Sequence, residues 1–382
     1  MHSAEPNRYE AAPLLVFWET TKACPLACVH CRAVAQPNPG PGELTTEEGR
    51  RLIEELAGAG RPRPVLVLTG GDCASRGDLV DLAAHARHLG VPVAVAPSVS
   101  ARLSDPLLRA LRHEGVRHVS ISLDGAGAAT HDGIRQVTGH FAATLEAVGR
   151  LREAGFEVQV NTAVMSRNVG ELADIASLLV SLGVSVWEVF FLVTVGRGSG
   201  LEELTAAEAE QVCWFLVEAA RYKMVVRTVE APFFRRVKLE RATGAEPPAG
   251  GLLPMLTGRL AELLGEPTSP VLAPSVATRD GKGIIFVGHT GDVLPSGFLP
   301  LSLGNVRDRP LLDIYRSHPL LRAIRAGEFT GECGRCEHRD LCGGSRARAF
   351  ASTGDPLGDD PGCLRVRNPK GPSPDHLVAW PA

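Results

Sequence analysis

The 382-residue chain carries nine cysteines, and seven of them fall into two groups. Cys24, Cys28 and Cys31 lie in the stretch CPLACVHC, while Cys333, Cys336, Cys342 and Cys363 lie near the other end. Three thiolates at the first spacing can wrap a loop around a cubane iron–sulfur cluster. They leave one iron open to bind a substrate or cofactor directly. Four thiolates close a cluster completely, which suits electron relay or a structural staple. Zinc competes for both groups. A structural zinc site takes four ligands, usually in Cys-x2–4-Cys pairs. The first group could add only His30, wedged between Cys28 and Cys31. The second group has four cysteines, as a zinc ribbon does. Cys73 and Cys213 stand apart and read as small buried apolar side chains.

Composition narrows the setting. Hydrophobic residues make up 44% and charged residues 22%, the balance of a globular chain that needs no disulfides to hold its core. The net charge is −3, so no cationic field draws the chain to nucleic acid or anionic lipid. The sequence opens without a signal peptide, and no run approaches the roughly 18 apolar residues that cross a bilayer. The expectation is a cytoplasmic protein with no nucleic-acid or membrane partner. In reducing surroundings its clustered cysteines hold metal or do chemistry rather than pair.

A repeat must position these residues. From residue 14 to about 220, short apolar runs alternate with amphipathic segments. Strands are expected at 14–18, 65–69, 91–97, 119–124, 158–164 and 186–193, each followed by a helix. Thr45 and Glu48 form a capping box ahead of the first helix. Near-continuous Val, Ile and Leu imply parallel strands covered on both faces. Six strand–helix units point to α/β architecture, either a doubly wound sheet or a partial (β/α)6 barrel of the triosephosphate-isomerase type. Either places chemistry at the C-terminal ends of the strands, and CPLACVHC follows the first of them. The expected organisation is an N-terminal extension (1–13), a partial barrel (14–230) and a Pro/Gly-rich bridging segment with one helix (231–282). A small C-terminal domain (283–382) then opens on a short hairpin and is stapled by the second cysteine group.

Over residues 14–230 the chain resembles the radical S-adenosylmethionine (SAM) enzymes, whose signature is C-x3-C-x2-C after the first strand of a six-unit partial barrel. Gly70, Gly71 and Asp72 are similar to the family's Gly-Gly-Glu motif. The resemblance implies that they meet the methionine amino group, through the Asp72 carboxylate or a backbone carbonyl. Ser122 and Asp124 match the S-x-D-G segment. Arg135 corresponds to an arginine that holds the methionine carboxylate, for which a planar guanidinium fork is suited. Asn161, Thr162, Phe191 and Val193 resemble the ribose- and adenine-contacting positions. The implied cofactors are a [4Fe–4S] cluster on Cys24, Cys28 and Cys31 and SAM itself. The implied partner is a flavodoxin- or ferredoxin-type electron donor. The implied chemistry is reductive cleavage of SAM to a 5′-deoxyadenosyl radical that abstracts hydrogen from a substrate carbon.

The second group, C-x2-C-x5-C with a later cysteine, resembles the family's auxiliary-cluster domain called SPASM. Two-cluster members carry a further cysteine after Gly-Asp-Val-x-Pro; here Ser296 stands in that place, so the resemblance implies one auxiliary [4Fe–4S] cluster. The segment from Cys342 through Arg346 and Arg348 resembles the haem-pathway branch, which includes an iron-coproporphyrin decarboxylase. Decarboxylation of a carboxylated small molecule is therefore the first expectation. Arg346, Arg348, Glu188 and Arg197 are candidates to meet the substrate, and His131 to line the cavity. Arg346 and Arg348 could equally brace the cluster loop or pair with Asp359 and Asp360. One alternative is a maturase that modifies a ribosomally made peptide. Against it, the first strand begins too early for an N-terminal peptide-recognition domain. The other is a non-catalytic iron–sulfur or zinc protein.

Overall fold

The computed structural model describes residues 9–271 and 278–367. Seven strands pair parallel in chain order: β1 (Leu15–Glu19), β2 (Val65–Thr69), β3 (Val93–Val95), β4 (His118–Ser122), β5 (Glu157–Val164), β6 (Val186–Phe191) and β7 (Val225–Val229). The six expected strands are present, and Val225–Val229 adds a seventh. Helices α1 (Thr46–Ala57), α2 (Leu79–Leu89), α3 (Asp105–His113), α4 (Ala128–Arg135), α5 (His140–Glu153), α6 (Leu172–Ser181) and α7 (Ala206–Ala219) fill the connections. Thr45 and Glu48 form the capping box ahead of α1, and Thr205 with Glu208 repeats it ahead of α7.

The strands are sealed on one face only, not on both as expected. In β5 Val158, Val160, Thr162 and Val164 are buried, while the alternate Gln159, Asn161 and Ala163 remain partly open. The buried set packs on the helices around Trp18 and Trp187, both fully buried. The other set lines the hollow of a half barrel and is left for solvent or ligand.

Beyond β7 lie α8 (Phe234–Ala242) and α9 (Leu252–Leu264). The sequence pattern shows α9 but not α8, whose charged face is tied down by an Arg236–Glu210 pair at 2.5 Å and an Arg236–Glu240 pair at 2.6 Å. Next come β8 (Arg279–Asp280), β9 (Gly283–Val287) and β10 (Val293–Leu294), then α10 (Leu311–Ser317), α11 (Pro319–Ala326), α12 (Gly331–Arg335) and α13 (Arg346–Thr353). The expected hairpin forms, with Val287 opposite Val293. It also joins the barrel sheet, because β9 runs parallel to β1 from Leu15↔Ile284 to Trp18↔Val287. Among the described residues no helix is long and apolar enough to cross a membrane. Parts of the expected N-terminal extension, bridging segment and C-terminal domain fall outside the described residues.

Candidate functional site

The strand ends enclose a cavity with about 1240 Å³ of atom-free space, its open mouth included. Cys24, Cys28 and Cys31 all line it. Their loop leaves β1 and is closed by Cys24 N–H donating to Gln36 O at 2.7 Å. Cys24 and Cys28 are buried and Cys31 half-buried, and all nine cysteines are free thiols. Cys24 Sγ lies 3.5 Å from Ser98 Oγ and accepts from Leu26 N–H at 3.5 Å. Burial pushes the Cys24 thiol up.

Gly70 and Gly71 line the same cavity. A β-carbon on Gly70 would strike Thr21 O, and one on Gly71 would lie 2.6 Å from the carbonyls of Lys22 and Ala23. The glycine pair thus presses the end of β2 onto the backbone that leads into Cys24. Gly71 N–H to Thr21 O (2.8 Å) and Asp72 N–H to Ala23 O (2.7 Å) fasten the contact. The Asp72 side chain does not line the cavity. It is buried and accepts from Ala74 N–H and Ser98 N–H, each at 3.1 Å, and from Ser100 Oγ at 3.0 Å. Burial raises its carboxyl against these bonds. Asp72 therefore shapes the loop that brings Ser98 to Cys24. Nothing in the sequence singled out Ser98 or Ser100.

Ser122, Asp124 and Arg135 meet on the cavity wall. Arg135 Nη2 pairs with Asp124 Oδ2 at 2.6 Å, and its Nη1 lies 3.6 Å from Cys28 Sγ. Its Nε is buried without a hydrogen-bond partner. Asp124 also accepts from Ala163 N–H at 2.8 Å, and His30 Nε2 stands 3.6 Å away. Burial acts against the Asp124 charge, but the Arg135 guanidinium outweighs it and holds the carboxyl below its usual range. Burial brings His30 down to about 4. His131 lies behind the wall: its Nδ1 accepts from Asp124 N–H at 3.0 Å, and its other nitrogen meets His140 at 2.8 Å.

Asn161, Phe191 and Val193 line the cavity as well. Thr162 points the other way, donating to Leu123 O at 2.7 Å and accepting from Trp187 Nε1 at 2.9 Å. Glu188 is half-buried, does not line the cavity and accepts from Gln159 Nε2 at 2.9 Å; burial raises its carboxyl. Of the four substrate candidates, only Arg197 lines the cavity. It donates to Cys28 O at 2.9 Å and Ala35 O at 2.8 Å, leaving Nη2 buried with no partner. Arg346 is buried behind the second cysteine group. Arg348 joins the barrel to the C-terminal segment through Glu203 at 3.0 Å, Leu192 O at 3.2 Å and Glu230 O at 2.8 Å. Two further lining residues, Arg32 and Phe298, went unread in the sequence. The Arg32 guanidinium sits 4.5 Å from the Phe286 ring and 5.8 Å from that of Phe298.

None of the four later cysteines lines this cavity. Cys333 rides on α12, and Cys342 precedes α13. Burial pushes Cys342 to about 11 and Cys363 to about 12. Cys213, buried on α7, is close enough to feel the charge of both. Ser296 is buried and bonded to Asp280 beside Glu230, where burial raises both carboxyls. Among the described residues no three Cys, His, Asp or Glu side chains are placed to hold a single metal ion.

The donor set fits an iron–sulfur cluster with an open iron. Three thiols face one cavity, and the buried, unpartnered nitrogens of Arg135 and Arg197 beside them await an anionic ligand.

Comparison with known proteins agrees. Residues 18–179 match the Radical SAM superfamily profile and residues 279–337 that of an iron–sulfur cluster-binding domain, SPASM. The AdoMet-dependent heme synthase of Nitratidesulfovibrio vulgaris is 36% identical over 91% of this chain and 91% of its own. The Fe-coproporphyrin III synthase of Methanosarcina barkeri is 31% identical over 92% and 88%. The mycofactocin maturase MftC of Mycobacterium ulcerans is 33% identical over 93% and 88%. Streptococcus suis SuiB bound to S-adenosylmethionine shares the fold, with a TM-score of 0.67 at 12% identity over 94% of this chain and 78% of that one.

Proposed function

The chain belongs to the radical SAM superfamily, in its SPASM-bearing haem-pathway branch, and on that premise we propose that it oxidatively decarboxylates side chains of a tetrapyrrole-type substrate. The observation that carries this reading is the cavity, where three thiols and the glycine pair face the Arg135–Asp124 pair. The substrate class rests on likeness to the heme synthase and the Fe-coproporphyrin III synthase.

Cys24, Cys28 and Cys31 would hold the SAM-binding [4Fe–4S] cluster; Cys333, Cys336, Cys342 and Cys363 would hold one auxiliary cluster. When bound, the first cluster and SAM supply a one-electron cleavage that yields a 5′-deoxyadenosyl radical. Gly70, Gly71, Ser122, Arg135, Asn161, Phe191 and Val193 would seat SAM, and Arg135 would meet its carboxylate as a planar fork. Asp124 keeps Arg135 charged and aimed, and Asp72 holds Ser98 against Cys24. Arg197 braces the cysteine loop and turns a spare N–H toward an anion. Loss of a hydrogen atom beside the carboxyl-bearing carbon would let the C–CO2 bond break, giving an alkene, CO2 and one electron, for which a cluster held by Cys333, Cys336, Cys342 and Cys363 would be the acceptor. A flavodoxin- or ferredoxin-type donor would supply the reducing electron. We assign residues 1–13 to an N-terminal extension, 14–230 to the partial barrel, 231–282 to a bridging segment and 283–382 to the auxiliary-cluster domain.

The test is anaerobic turnover of the reconstituted chain with SAM, a reductant and iron-coproporphyrin. We expect 5′-deoxyadenosine together with loss of CO2 from the porphyrin. Cleavage of SAM with the porphyrin unchanged would overturn the substrate, and turnover of a precursor peptide instead would favour the maturase reading that the MftC likeness keeps open. Zinc without sulfide would overturn the cluster assignment itself.

A further inference from the structure

Two buried arginines and a half-buried one crowd the second cysteine group, and Asp280 and Asp340 act on them only from beyond ion-pair distance. Arg279, on β8, donates from Nη1 to Arg339 O at 3.1 Å and Cys342 O at 3.0 Å, and from Nη2 to Asp340 O at 3.3 Å. Arg346 opens α13, fully buried. It donates to the carbonyls of Gly344, Pro356 and Gly358, and its Nη2 lies 3.8 Å from Cys333 Sγ. Arg235, on α8, donates to Thr278 O, and its charge reaches Cys342. Among the described residues no carboxylate oxygen lies within 4.0 Å of these three guanidiniums. Arg279 Nε and Arg235 Nη1 are buried without hydrogen-bond partners. Burial, then the neighbouring guanidiniums of Arg235 and Arg346, draw Arg279 down to about 10.

The nearby acids do not cancel this charge. Asp360 is engaged by Ser345 N–H, Gly362 N–H and Arg348, and Asp359 by Cys333 N–H. Burial raises Glu230 well above its usual range, which favours its neutral form, and raises Asp280 only to about 6, so Asp280 keeps charge at neutral pH and offsets Arg235 and Arg346 in part. The chain makes room for the guanidiniums at Gly343 and Gly344, with φ of 75° and 64°. A β-carbon on Gly343 would strike Arg279 Nη1, and one on Gly344 would strike Arg346 Nη2. Two backbone N–H groups already point at sulfur, Gly344 to Cys342 at 3.4 Å and Asp360 to Cys333 at 3.5 Å. Around the first group two of three arginines are matched, Arg32 by Glu19 at 3.3 Å and Arg135 by Asp124 at 2.6 Å, while Arg197 donates only to carbonyls.

Buried cations without counter-charge are costly, and a thiolate-ligated cluster supplies the missing negative charge. The same field, with N–H···S bonds, stabilises one more electron on that cluster. We propose that Arg235, Arg279 and Arg346 form a cationic cage that holds the auxiliary cluster and sets its reduction potential above that of the cluster on Cys24, Cys28 and Cys31. The cage rests on the cluster reading of the second group given above.

The test is a redox titration of the reconstituted full-length chain, read by electron paramagnetic resonance. It is repeated with Cys24, Cys28 and Cys31 replaced by Ala so that the auxiliary signal stands alone. We expect the auxiliary midpoint to lie above the other. Arg279→Gln should lower its reduction constant about tenfold, or about 59 mV for one electron, and Arg279→Lys should restore most of that. An unmoved midpoint in a fully loaded Arg279→Gln protein overturns the cage, as does a Lys variant shifted as far as Gln. Should Arg279→Gln fail to load, half-buried Arg235→Gln must show a shift of the same sign, and no shift there also overturns it. Zinc without sulfide in the unaltered second group would overturn the cluster reading instead, and iron with sulfide at unmoved potential only the cage.

Discussion

The loop bearing Cys24, Cys28 and Cys31 opens onto a cavity at the strand ends, shared with Gly71, Asn161 and Arg197. Cys333, Cys336, Cys342 and Cys363 sit instead among short helices and turns, away from that cavity and close to unmatched arginines. The same element, cysteine, is thus set in two surroundings that suit different work. The open group has space beside it for a second molecule, and carboxylates pair with two of its three arginines. The other lies away from that cavity beside Arg235, Arg279 and Arg346, none of them in a close ion pair, a surrounding suited to storing charge rather than to meeting a ligand.

The strongest way to break this division is to remove one group and read the other. Replacing Cys24, Cys28 and Cys31 by Ala should abolish SAM cleavage while about half of the iron and sulfide stays on the chain. Loss of all iron would show that the groups are not separable. In the opposite direction, Cys336→Ala with Cys342→Ala should leave the N-terminal cluster spectroscopically intact and SAM cleavage detectable, but stop conversion of substrate. Unimpaired conversion would reduce the second group to a staple. A smaller effect should follow Arg135→Ala. Losing a charge-assisted contact worth about 1.5–3 kcal/mol should raise the KM for SAM roughly 10- to 100-fold, more than it lowers kcat. A KM that does not move would remove Arg135 from the SAM site. The smallest effect concerns the junction. The Asp280 carboxyl is raised to about 6 in the folded chain, chiefly by burial, so its protonated form favours folding at low pH. That contribution fades as pH rises through about 6. Comparing Tm across pH 5–7, Asp280→Asn should gain on the unaltered chain as pH rises, and a constant difference would refute the assignment.

Much of the frame was legible because it rests on local signals. The strands at 65–69 and 158–164, and the Thr45–Glu48 cap, follow from apolar runs and side-chain capping that act within one element. β7 was not read, since Arg227 and Thr228 interrupt its apolar run and only pairing with β6 makes it a strand. α8 owes its place to Arg236 meeting Glu210 on α7, a partner far along the chain. The three thiols of the cavity were legible from spacing alone. The work of Asp72 was not, because its partners Ser98 and Ser100 belong to another loop. Likewise Arg346 and Arg348 carry the same side chain two residues apart. One turns to the carbonyls around Cys333, the other to Glu203 and Leu192 on the barrel, a difference set by packing rather than by residue type.

The pairing of β9 with β1 bears on how the chain is made. β1 leaves the ribosome ahead of the other described strands, yet its partner on one side belongs to a segment synthesised only after the whole barrel. Until then one flank of β1 exposes unpaired amide and carbonyl groups, a template for pairing with another chain. Joining strands so far apart in sequence carries a large loop-closure entropy and comes late in folding. Nascent chains and fragments that stop short of Gly283 therefore carry the cysteine loop beside an unpaired sheet edge, where strand pairing between chains is favoured.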